Sequence, residues 1–105
     1  MTEYVGLHTR LKPGMETAYD EAHASGWPEL HAAIRAAGFK RWLIFRDGLE
    51  IFHSIECEDY ERGIAELARN PINQRWQAEM AMLTEVAHDY TGAASDRLSL
   101  IFDLG

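Results

Sequence analysis

The sequence predicts an α+β domain in which one antiparallel sheet carries its helices on a single face. Three observations lead there: runs of alternating apolar and polar residues, long stretches of helical periodicity between them, and an Asp47-Gly48 pair set between two β-rich runs.

The first strand is Tyr4 to Leu11. Val5, Leu7, Thr9 and Leu11 fall on one side of an extended chain, and Gly6, His8 and Arg10 on the other. Lys12-Pro13-Gly14 then supplies a turn. A helical segment follows from about Glu16 to Ala37, with Ala18, Ala22, Leu30, Ile34 and Ala37 at three- and four-residue spacing. Pro28 lacks a backbone donor and crowds the turn before it, so with Gly26 it predicts a kink or short break. Gly38 supplies the stop.

Lys40 to Arg46 and Leu49 to Ile55 read as a hairpin around Asp47-Gly48. Glu58 to Ala68 reads as a helix ended by Asn70-Pro71. Ile72 to about His88 resumes helical periodicity through Trp76, Met80 and Leu83. Gly92 to Asp96 is a polar loop, and Leu98 to Asp103 alternates as a last strand. The order is β-α-β-β-α-β with its second helical part split in two, which is the ferredoxin-like split βαβ arrangement. In the middle strands Trp42 and Ile44 alternate with Leu43 and Phe45, so both sheet faces are apolar there. A second copy over the open face is the expected cover.

At 105 residues the chain is expected to form one domain spanning 1–105. It is 47% hydrophobic and 26% charged, an ordinary globular composition. The formal net charge of -7 argues against nucleic acid or an anionic membrane as partner, because phosphate binding calls for clustered Lys and Arg. Cys57 is the single cysteine, which excludes an internal disulfide. The N-terminus has no basic start and no long apolar run, and no stretch approaches the roughly 20 apolar residues of a membrane span. The expected location is cytoplasmic.

Five histidines stand at positions 8, 23, 31, 53 and 88. None has zinc-type spacing, and no metal or cofactor is expected; His8, His23 and His53 are the set that a metal site would have to use. Tyr19, His23 and Trp27 lie four residues apart, on one face if the helix runs intact that far. Two readings of that stripe stand. It is core packing with a satisfied histidine, or a sugar platform in which the aromatic face meets ring C–H groups while phenol and imidazole meet hydroxyls. The break at Gly26 and Pro28 favours a site. Trp76, in Asn73-Gln74-Arg75-Trp76-Gln77, sits among amide and guanidinium donors of the kind that bind polyols. Trp42 faces either pocket or core, Glu29 suits the first turn of a helix, and Cys57 reads as structural. There is no Gly-rich phosphate loop, GxSxG elbow or paired-carboxylate motif.

These residues together resemble the L-rhamnose mutarotase family, with its L-fucose-active relatives. The resemblance runs over nearly the whole chain. It rests on Lys12-Pro13-Gly14, Tyr19-Asp20-Glu21-Ala22-His23, the signature Trp27-Pro28-Glu29-Leu30, Gly38, Gln74-Arg75-Trp76 with Met80, and the closing strand. It implies a dimeric α/β-barrel arrangement of ferredoxin-like chains and cofactor-free interconversion of the α and β anomers of a 6-deoxyhexose. It also implies that His23 transfers protons, that Tyr19 binds sugar and that Trp76 lines the pocket. Beside these, Trp27 and Trp42 are expected to complete the pocket, and His53, which like Arg10 is unusual for the rhamnose pattern, to meet a sugar hydroxyl. Trp42 stands where the rhamnose enzymes typically carry a tyrosine, and Gln77 where they often carry a second tryptophan, so the sugar is less constrained than the reaction. His53 or a bound water is the expected second proton-transfer group. The alternative from another class is a ligand-binding module or cofactor-free monooxygenase on the same dimeric scaffold.

Overall fold

A computed structural model describes residues 2–91 and 95–105. Among these residues nine elements follow one another: β1 (Glu3–Leu11), α1 (Glu16–Ser25), α2 (Pro28–Ala36), β2 (Phe39–Asp47), β3 (Glu50–Cys57), α3 (Tyr60–Arg69), α4 (Pro71–Leu83), β4 (Thr84–Val86) and β5 (Arg97–Leu98). The strands form one antiparallel sheet in the order β2-β3-β1-β4, with β5 also pairing β1. This is the ferredoxin-like α+β arrangement.

The predicted break falls where Pro28 requires it. A residue preceding proline is pushed out of the helical region, and Trp27 is extended at φ -127°, ψ 109°. Gly26 makes the bend at φ +59°, and the His31 ring packs within 3.0 Å of where a Cβ would stand. A non-glycine residue there is strained by both its backbone and its neighbour. The single long helix therefore becomes α1 and α2. On α1 the buried position is Tyr19, while the predicted apolar position Ala18 is exposed.

A bulge between Phe39 and Arg41 decides the parity of β2. Phe39 pairs with Cys57, Arg41 with Glu56 and Trp42 with Ile55, so Phe39 and Trp42 share the helix-covered face. Under that face lie two cores. One gathers Leu7, Phe39, Ile55, Tyr60 and Leu67; the other gathers Leu11, Tyr19, Leu30, Ile51, Trp76 and Met80.

Two expectations near the C-terminus are corrected. The last helix stops at Leu83 instead of running to about His88. The Leu83 carbonyl accepts from Lys12 N–H, the Thr84 hydroxyl bonds back to the Met80 carbonyl, and Val86 pairs with Arg10. The free edge of β1 thus captures the chain as β4. The strand predicted from Leu98 to Asp103 pairs only through Arg97 and Leu98, opposite Leu7 and Gly6. Beyond Leu98 no strand among the described residues lies alongside, and residues 99–105 are exposed. Of the predicted loop from Gly92 to Asp96, residues 92–94 lie outside the described residues. The helix expected from Glu58 starts at Tyr60 because Asp59 caps it, accepting from Arg62 N–H.

Candidate active site

Between the two cores lies a cavity of about 220 Å³, smaller than the roughly 300–1,000 Å³ of drug-sized sites and suited to a small ligand. All six residues singled out in the sequence line it: Tyr19, His23, Trp27, Trp42, His53 and Trp76. They do not arrive as predicted. α1 ends at Ser25, so Trp27 is off its face and stands instead as the N-cap residue of α2. The break turns the Trp27 ring edge-on to Trp76, centroids 5.1 Å apart, with the Arg75 guanidinium 5.6 Å over it.

His23 keeps its helical relation to Tyr19. Its Nδ1 lies 2.9 Å from the Tyr19 carbonyl oxygen, which only accepts, so Nδ1 carries the proton and Nε2 the lone pair. The ring sits 4.2 Å from the Tyr19 ring and edge-on to Trp76 at 5.1 Å. Burial lowers the His23 pKa, and the Tyr19 carbonyl and Asp20 oppose that in part. Burial, with a smaller push from Asp20, raises the Tyr19 phenol to about 12. No hydrogen-bond partner for the Tyr19 hydroxyl occurs among the described residues, and the residue borders the cavity. A neutral base and a protonated phenol thus stand side by side.

His53 is held on both sides. The Trp42 indole N–H, a donor only, gives its proton to Nδ1 at 2.9 Å. Nε2 must then carry the hydrogen, and it donates to the Thr9 hydroxyl at 3.3 Å. Burial, followed by the charge of His23, lowers the His53 pKa to about 4. With both nitrogens engaged, His53 has no free lone pair for proton transfer.

His8 does not join His23 and His53. It lies on the open sheet face, stacked on Phe52 and bonded to Glu50 at 2.6 Å. No group of three His, Cys, Asp or Glu able to hold a metal occurs among the described residues. Glu29 is exposed in the first turn of α2, and Cys57 is buried in the core.

Asn73 and Gln77, from the run around Trp76, line the cavity too, whereas sequence reasoning missed Thr9, His88 and Tyr90. Thr9 alternates with Leu7 and Leu11 and read only as an inward strand position. His88 was assigned to a helix that ends five residues earlier. Among the described residues, no Asp, Glu, Lys or Arg lines the cavity.

The fold and its polar–aromatic cavity define the class, a small ferredoxin-like α+β protein. At 20% identity and a TM-score of 0.65, the tetracenomycin F2 cyclase of Streptomyces glaucescens shares that fold over 98% of this chain and 97% of its own. The L-rhamnose mutarotase of Formosa agariphila is nearer, with a TM-score of 0.80 and 27% identity over 98% of this chain and 99% of its own. Residues 4–104 match the L-rhamnose mutarotase family profile, and the chain belongs to that family of carbohydrate isomerases. L-rhamnose mutarotases from Mesorhizobium japonicum and Bacteroides thetaiotaomicron are 33% and 35% identical to it, over 85% and 75% of this chain and 86% and 77% of their own.

Proposed function

We propose that this chain is an aldose mutarotase that interconverts the α and β anomers of a neutral 6-deoxyhexose, with L-rhamnose as substrate and L-fucose as the competing sugar. The observation that carries the reading is the His23–Tyr19 pair. His23 Nε2 takes the proton of the anomeric hydroxyl, whose electrons form the C1 carbonyl as the bond from C1 to the ring oxygen breaks. The Tyr19 hydroxyl supplies the proton to that ring oxygen. Rotation about C1–C2 and the reverse transfers close the other anomer. The imidazolium formed beside the Tyr19 ring, 4.2 Å away, stabilises the developing phenolate. Each positioned acid or base contributes about 10²–10⁴-fold, which suffices for a reaction that already proceeds in water.

Trp27 and Trp76 form the hydrophobic platform for the ring, and Trp42 and His53 set the sheet-side wall. The uncharged character of the lining among the described residues supports an uncharged sugar over a phosphosugar or a uronic acid. A cytoplasmic homodimer belongs to the same proposal. Its support is the apolar open face, where Tyr4 and Phe45 are 56% and 59% exposed, continued by a tail in which Ile101 and Phe102 are 93% and 73% exposed.

The test is saturation-transfer NMR on L-rhamnose, L-fucose and glucuronic acid. Anomeric exchange accelerated for a 6-deoxyhexose and not for the uronic acid is the expected result. No acceleration with any neutral aldose contradicts the reading.

A further inference from the structure

We infer that His88, on the coil after β4, is a substrate-contacting residue that presents Nδ1 as a fixed hydrogen-bond acceptor to a sugar hydroxyl away from the anomeric carbon. The inference rests on the mutarotase reading and assigns a group that reading does not use. β4 ties the chain to β1 through Val86 and Arg10, and the next residues, Ala87 and His88, border the cavity. The His88 side chain is 8% exposed, and its ring is boxed by Trp42 at 5.5 Å and Tyr90 at 4.2 Å.

The ring is also fixed electronically. Its Nε2 lies 3.0 Å from the Tyr60 hydroxyl and 3.7 Å from Asp96 Oδ2. That carboxylate oxygen acts as an acceptor here, taking the Asp89 N–H at 2.9 Å. An acceptor beside Nε2 favours the proton on that nitrogen, donated to the Tyr60 oxygen. Nδ1 then keeps the lone pair. No partner for it occurs among the described residues, and no polar side-chain atom among them is both buried and unbonded, so Nδ1 opens to the cavity that His88 lines. His53, 6.1 Å away, has both nitrogens engaged. His88 is therefore the imidazole on this wall that can receive a hydroxyl hydrogen, while His23 and Tyr19 hold the anomeric end. Tyr60, out of the cavity, is a positioning residue.

The test has two parts. In the wild-type protein, a long-range ¹H–¹⁵N histidine spectrum is expected to show His88 as the Nε2–H tautomer, with its Nδ1 signal moving as L-rhamnose is added. An Nδ1–H tautomer, or an Nδ1 signal unmoved by a sugar whose exchange the protein accelerates, overturns the inference. In anomeric-exchange kinetics, His88→Phe is expected to raise KM about tenfold with kcat little changed, the scale of one lost hydrogen bond. His88→Gln restores an acceptor and recovers part of the affinity, and Tyr60→Phe raises KM by a smaller factor. Wild-type KM in folded His88→Phe overturns the role of His88 alone. A wild-type protein that accelerates exchange of no aldose overturns the mutarotase reading, and this inference with it.

Discussion

The indole N–H of Trp42 on β2 donates to Nδ1 of His53 on β3 at 2.9 Å, a diagonal pairing across adjacent strands that leaves His53 one tautomer. Trp42→Phe keeps an aromatic in place and removes the donor. A buried nitrogen left unbonded costs about 1–3 kcal/mol. In urea unfolding, Trp42→Phe and His53→Gln are therefore expected to be sub-additive in the double variant, with a coupling of about 1 kcal/mol or more. Additive losses would show that the two side chains do not act as a unit.

Acid sensitivity follows from the same wall. Burial holds His53 and His88 below the ordinary 6.5, at about 4 and about 3. The folded pKa values lie below the unfolded ones, so the unfolded chain binds more protons as pH falls. The stability is complete above about 6.5 and is lost on acidification through the folded values. For His53, the displacement from 6.5 to about 4 corresponds to on the order of 3 kcal/mol once titrated. Urea midpoints measured from pH 7.5 to 4.5 are expected to fall, and His53→Gln to flatten the fall. Equal pH dependence in the two proteins contradicts the assignment.

Gly63 on α3 is fixed by packing. A Cβ there would stand 2.7 Å and 2.8 Å from Phe39 ring atoms and 3.0 Å from the Ala37 carbonyl oxygen. Helix propensity favours alanine by about 1 kcal/mol, and overpacking costs about 1–3 kcal/mol. The rigid ring and the backbone oxygen leave little room to yield, so Gly63→Ala is expected to lower the thermal midpoint. A raised midpoint would show that the Phe39 ring yields to the added methyl at little cost.

Much of this was legible in the sequence because it is local. Pro28 dictates an extended Trp27, Asp47-Gly48 closes its hairpin, and alternation in β1 puts Leu7 and Leu11 inside. What was not legible is set by distant chain segments. The end of α4 depends on the free edge of β1, and the parity of Trp42 on a bulge that no residue type announces. His88 and Thr9 reach the cavity only because the sheet order places β4 and β3 on either side of β1. The six predicted site residues converge all the same. Five lie on regular elements, Trp42 with its face set by the bulge in β2, and Trp27 is carried in by the break.

The open sheet face carries Phe45 and Phe52, 59% and 40% exposed. If a second copy covers it, Phe45→Glu and Phe52→Glu together place uncompensated charge in the interface. Sedimentation equilibrium is expected to give a dimer for the wild type and a monomer for the double variant. The same mass for both proteins contradicts the proposed assembly.

The central claim is that His23, with its proton tied to the Tyr19 carbonyl, is the base of an anomeric exchange. Saturation-transfer NMR on L-rhamnose with wild type and His23→Ala tests it most directly. The account predicts catalysed exchange in the wild type and a loss of about 10²-fold or more in the variant, with the fold retained. Exchange at the wild-type rate in folded His23→Ala would contradict it.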